Sequence, residues 1–221
     1  MRAMGENDEG RPASLSVSDP AAPDSGDSTG ALLERLARVR ETLGRERSEA
    51  PVRVDELLAQ PEEVRLGLAS LDARFHTWGV CELLLLRSQA LEETDRAAAG
   101  HLAHLCLATS DGLASGLHAT AVVKDLRAKA WAGVGEARLA AGDREGAGEA
   151  LRAAATCLAY GTGDLMVEAR LLEFEAAVRA DQGRTGEAEA LLDQAAERYR
   201  EICETTHLDR VLRRKERLVE G

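Results

Sequence analysis

Residues 131–154 read WAGVGEARLAAGDREGAGEALRAA, and the fold turns on how they are read. Gly142 and Asp143 interrupt two stretches made of the strongest helix formers, Ala, Leu, Glu and Arg, so the segment reads as helix, tight turn, helix. Small and large residues then fall into place. Gly135 on the first stretch and Ala147 on the second allow close approach of two helices, while Trp131 and Leu151 fill the groove between them. The pattern returns in residues 172–195, LEFEAAVRADQGRTGEAEALLDQA. Gly142 recurs as Gly183, Ala147 as Ala188, Leu151 as Leu192 and Ala154 as Ala195, a fixed offset of 41 residues that marks a repeated helical hairpin.

Working outward, the periodicity predicts helices from about His118 to Ala141 and on to Tyr160, with Gly161-Thr162-Gly163 as the next turn. Asp164 caps a helix through Gln182, and Gly183 turns into one from Thr185 to Cys203. Upstream, Phe75 to Leu91 and Asp95 to Thr109 form a weaker copy, in which Asp95-Arg96 and Ala99 match Asp143-Arg144 and Ala147 at 48 residues. Leu32, Leu33, Leu36, Val39 and Leu43 predict an amphipathic helix over 31–47 that Pro51 ends. A second helix spans about 55–72, with Pro61-Glu62-Glu63 as an alternative start. His207 to Glu220 predicts a last helix capping the stack. Residues 1–30, with Pro12, Pro20, Pro23 and few large apolar side chains, read as a disordered acidic tail. The expected organisation is therefore a 1–30 tail, 31–72 N-terminal helices, 73–206 hairpins and a 207–221 capping helix.

Trp131, Val134, Gly135, Gly142, Ala147, Leu151 and Ala154 resemble the tetratricopeptide repeat pattern, and the third hairpin keeps Leu172, Ala176, Gly183, Ala188, Leu192 and Ala195. Arg179 departs from the aromatic residue of that pattern, and the period exceeds the usual ~34 residues. The resemblance covers about residues 73–206. It implies an all-α fold, a right-handed α-solenoid of antiparallel helical hairpins, with the first helix of each pair lining a concave face. On that face it places Lys129, Ala132, Glu136, Arg170, Glu173 and Ala177 as partner-binding residues. Members that grip a C-terminal carboxylate use Asn and Lys, whereas the single asparagine here, Asn7, lies in the tail.

Composition narrows the function. The hydrophobic content of 44% is mostly Ala and Leu with 3% aromatics, and the net charge of −11 opposes nucleic-acid phosphates and anionic membranes. The longest leucine run, Leu83 to Leu86, is far short of a membrane span, and the N-terminus lacks an apolar leader, so the expectation is a cytoplasmic protein. Cys81, Cys106, Cys157 and Cys203 show no CxxC pair and read as reduced, small core residues. His101 and His104 with Cys106, and Cys203 with His207, lack the further ligands a metal needs, so no metal or cofactor is expected. No sequence segment has the form of a nucleophile elbow or a phosphate loop, and no catalytic residue is nominated. Glu92-Glu93 reads as helix-surface or capping carboxylates, and Arg210, Arg213, Arg214, Lys215 and Arg217 as a solvated cap face, with an ionic contact to the acidic tail or to nucleic acid as the alternatives. The expectation is a non-enzymatic scaffold or adaptor presenting its groove to a protein or peptide. The alternative is a regulatory sensor whose groove binds a small peptide or metabolite.

Overall fold

The computed structural model describes residues 25–113 and 118–220. Among them are nine α-helices and no strand: α1 (Ser25–Leu58), α2 (Glu62–Leu71), α3 (Trp78–Leu91), α4 (Arg96–Ser110), α5 (Thr120–Ala140), α6 (Arg144–Ala159), α7 (Leu165–Asp181), α8 (Thr185–Glu201) and α9 (Thr205–Glu220). No helix among the described residues is long and apolar enough to cross a membrane. The expected tail lies outside the described residues up to residue 24, and residues 25–30 start α1 instead.

The chain separates into two compact units at Arg38 and Val39, inside α1. The described part of the first unit is helix, with Leu32, Leu33 and Leu36 exposed. The second unit holds the core. There α1 overrides the stop expected at Pro51, although proline removes an N–H and crowds the carbonyl four residues back. Burial accounts for this: Ala50, Val54 and Leu57 are sealed in the core, the last two with Phe75, Val80 and Leu84. One turn before the proline, the Trp78 N–H donates to Glu46 Oε2 at 2.8 Å. A Cβ on Gly79 would meet the Glu46 carbonyl oxygen at 2.3 Å, so the start of α3 reaches α1 only because residue 79 is glycine.

The helix expected over 55–72 is two elements. Pro61 precedes α2, whose first turn carries Glu62 and Glu63, favourable to the helix dipole. Arg65 donates to the carbonyls of Leu58 and Gln60, both at 2.8 Å, and so satisfies groups left open at the end of α1.

The remaining boundaries follow local signals. Thr77, Asp95, Asp143 and Asp164 each accept a backbone N–H at the starts of α3, α4, α6 and α7. The ends of α5 and α7 share one geometry: Gly142 (φ 81°) and Gly183 (φ 73°) are left-handed. Asp143 N–H donates to Arg138 O and Arg184 N–H to Arg179 O, each at 2.9 Å. These are Schellman turns. The end of α8 repeats the turn with Cys203 at φ 56°, and Glu204 N–H donates to Tyr199 O at 2.9 Å.

Helices adjacent in sequence pack together: α3 with α4, α5 with α6, α7 with α8, and α8 with α9. α4 also packs on α5 and α6 on α7, while α3 meets α5 and α5 meets α7. The approach depends on small residues, since a Cβ on Gly135 would lie 2.2 Å from Phe174 Cζ and 3.0 Å from Ala150 Cβ. Trp131 packs against three of the four buried apolar clusters at once, tying the α3–α5 core to those of α5–α7.

Candidate binding groove and the ion cluster behind it

The turn from α3 into α4, with α5, α7, α9 and Leu192 of α8, encloses an open groove of about 1110 Å³. Its floor is made of small residues, among them Gly133 and Ala137 on α5 and Ala176, Ala177 and Ala180 on α7. Only Ala176 among them belongs to the repeated pattern, where it matches Gly135, and together they leave room where Leu or Phe would fill it. Arg96, Arg213 and Arg217 stand on the rim with Glu93, Glu216 and Glu220.

Along one side of the groove lies a cluster of three carboxylates and three guanidinium groups, drawn from the end of α3, α5, α7 and α9, of which Glu92, Glu136, Arg210 and Arg214 line the groove themselves. Glu173 on α7 is 0% exposed. It accepts from Tyr199 Oη of α8 at 2.6 Å, from Arg210 Nη2 at 2.6 Å, from Arg210 Nε at 3.3 Å and from Arg214 Nη1 at 3.4 Å. Arg170, one turn earlier on α7, grips Glu92 at the end of α3 with two donors at 2.5 and 3.0 Å and stands 3.7 Å from Glu136 of α5. Arg210 is also 3.7 Å from Glu92, which joins the two halves. Fork-shaped guanidinium groups suit this shared carboxylate recognition in a way lysine would not.

Burial and charge oppose one another here. Burial would raise the Glu173 carboxyl, yet Arg210, Arg170 and Arg214 hold it below the ordinary range. Glu136 goes the other way: burial dominates, and Glu92 and Glu173 add repulsion that Arg170 and Arg214 do not overcome, so its carboxyl is raised. Burial disfavours charge on Arg170, but Glu136, Glu92 and Glu173 more than compensate and keep it protonated. The Tyr199 hydroxyl is raised by burial and by Glu173, so it is a donor at any physiological pH. Every charge in the cluster faces an opposite charge. Its chemistry is therefore cohesion between helices.

A smaller recess of about 390 Å³ opens between α3, α5 and the turn before α7, lined by Trp78, Leu85, Leu86, Val122 and Leu126 with Gln89, Asp125 and Lys129. Trp78 stacks on His118 with centroids 5.3 Å apart. Gly161-Thr162-Gly163 is a turn, anchored where the Thr162 N–H and hydroxyl donate to Asp125.

The six residues placed on the concave face by resemblance are scattered in depth. Glu136 and Ala177 line the groove, and Lys129 lines the recess, where its Nζ lies 3.4 Å from Asp164. Arg170 and Glu173 present no free charged surface, because Glu92, Tyr199, Arg210 and Arg214 occupy them. Ala132 is buried with Ala147 and Phe174. Glu92 is a member of the cluster rather than a plain capping residue, and the basic helix is two-sided. Arg210 and Arg214 turn inward, while Arg213 and Arg217 stay exposed. Tyr199 was not singled out by the sequence at all.

Among the described residues no three His, Cys, Asp or Glu side chains converge to hold a metal ion. His207 stacks on Tyr199 and meets Glu204 at 3.2 Å, while Cys203 sits in the turn before α9. Comparison with known proteins finds no match to a family model, to a curated protein or to a solved structure.

Proposed function

We propose that this chain is a non-enzymatic scaffold whose helix pairs stack as a right-handed, tetratricopeptide-like solenoid and whose groove receives a helical segment of a partner protein. The observation that carries this reading is the size and lining of the groove. A helix about 10 Å across rising 1.5 Å per residue occupies roughly 120 Å³ per residue, so two to three turns fill the space measured. The floor of Gly and Ala lets such a helix approach closely, and the mixed charges on the rim suit the polar edge of a protein contact. The succession of contacts from α3 to α5 to α7, with the same turn at Gly142 and Gly183, supports the stacking.

The test places bulk in the groove at residues that are not members of the ion cluster. Ala140→Arg and Ala177→Arg should abolish partner capture from native lysate while leaving the circular dichroism spectrum and Tm unchanged. Capture of the same partners by both variants would overturn the proposal.

A further inference from the structure

Resting on the groove reading, we infer that the recess beside Trp78 is a side-chain subsite on the same face, one that selects partner helices carrying an aliphatic residue next to a basic one. It lies on α3 and α5, of which α5 also lines the groove and α3 leads into it at Glu92 and Glu93. Lys129 and Glu136 are seven residues apart on α5, about 10 Å along the axis, so one partner helix reaches both.

Two observations define the occupant. The first is apolar: Leu86 is 57% exposed and Val122 38%, on opposite sides of a recess also lined by Trp78 and Leu126. The space suits one or two large side chains, and covering it removes both residues from water. The second is charge. Asp125 lines the recess and is only 7% exposed, yet its carboxylate accepts from Thr162 alone, with no cation among the described residues in ion-pair range. Lys129 pairs with Asp164, and Arg47 engages Glu82. Those pairs cancel, which leaves the Asp125 charge unbalanced. A carboxylate has about four acceptor positions, so capacity remains for a charge-assisted bond from a partner's Arg or Lys. An acidic segment meets repulsion at the same place.

The probe is a fluorescein-labelled, amidated alanine-based helix with leucine and arginine one turn apart, compared with versions in which arginine is replaced by glutamate or leucine by serine. Fluorescence anisotropy should show the arginine peptide binding at least tenfold more tightly than either comparison peptide. Asp125→Asn, which keeps an acceptor for Thr162, should remove most of the preference for arginine, and Leu86→Ser should weaken the arginine peptide about fivefold. Val122→Lys, at an exposed position, repeats the charge test should Asp125→Asn fail to fold. Equal binding of arginine and glutamate peptides, no binding up to about 1 mM, or indifference to both Asp125→Asn and Val122→Lys would overturn the subsite. Ala177→Arg separates the two ideas. If it abolishes capture of partner proteins while the recess variants change nothing, the groove stands and the subsite falls. If it leaves capture intact, the groove reading falls.

Discussion

Gly142, Gly183 and Cys203 occupy equivalent positions in three turns of the same kind, and the third lacks the residue that fits best. A side chain in the left-handed region costs about 1 kcal/mol, which glycine avoids. Cys203→Gly should therefore raise stability by roughly 0.5–1 kcal/mol in urea titration, because the turn is already built. Gly135→Ala should act in the opposite sense. Its Cβ would fall 2.2 Å from Phe174 Cζ, and displacing that buried ring should cost about 1–3 kcal/mol with a matching fall in Tm. Within the ion cluster the two carboxylates have opposite pH signs. Glu173 is held below its unfolded value, so its contribution is complete above that unfolded value and lost as pH falls through the lower, folded one. Glu173→Ala should cost about 3–5 kcal/mol at pH 7, since Arg210 and Arg214 lose their carboxylate. Glu136 is raised in the folded state, so stability declines as pH rises from its unfolded toward its folded value. Glu136→Gln should gain on the parent across that window, which denaturant midpoints measured from about pH 4 to pH 7 will show.

Element boundaries were legible where the signal is local. Asp143 and Asp164 announce the starts of α6 and α7, and Gly142 and Gly183 the turns before α6 and α8, because a cap or a left-handed residue acts within one helical turn. Pro51 misled because its local penalty is outweighed by Val54 and Leu57, whose burial depends on α3 and on residues that follow much later. The cluster was illegible for a related reason. Glu92 and Arg170 are 78 residues apart, and Arg210 lies 37 from Glu173, so no local pattern pairs them. A weaker signal did exist on α9. Val211 is fully buried, and Arg210 and Arg214 lie one turn apart on one side of it, whereas Arg213 lies further round. Ala132 was placed by resemblance alone, and a small side chain beside Trp131 gave no cue that it would be covered by Phe174 and Ala147.

Across the second unit, three of the four apolar clusters join through Trp131, while the ion cluster bridges from the end of α3 to α9. Cooperativity at the scale of the molecule should thus depend on a few residues. Trp78 and Trp131 are the two tryptophans and report on α3 and α5, whereas circular dichroism reports on all helices. The two signals should share one urea midpoint in the parent protein. In Arg210→Met, which strips Glu173 of its closest cation, the dichroism should begin to fall at lower urea than the fluorescence, as α8 and α9, whose core cluster includes no tryptophan, open first. Coincident curves in that variant would mean that the cluster does not couple the C-terminal helices to the rest. The turn at Cys203 offers a means of watching this. Cys81, Cys106 and Cys157 are shielded, so a thiol-reactive dye attaches selectively at residue 203, on a rigid corner at the entrance to α9. Its emission would then register in real time whether the last helix stays seated or swings away when a peptide enters the groove.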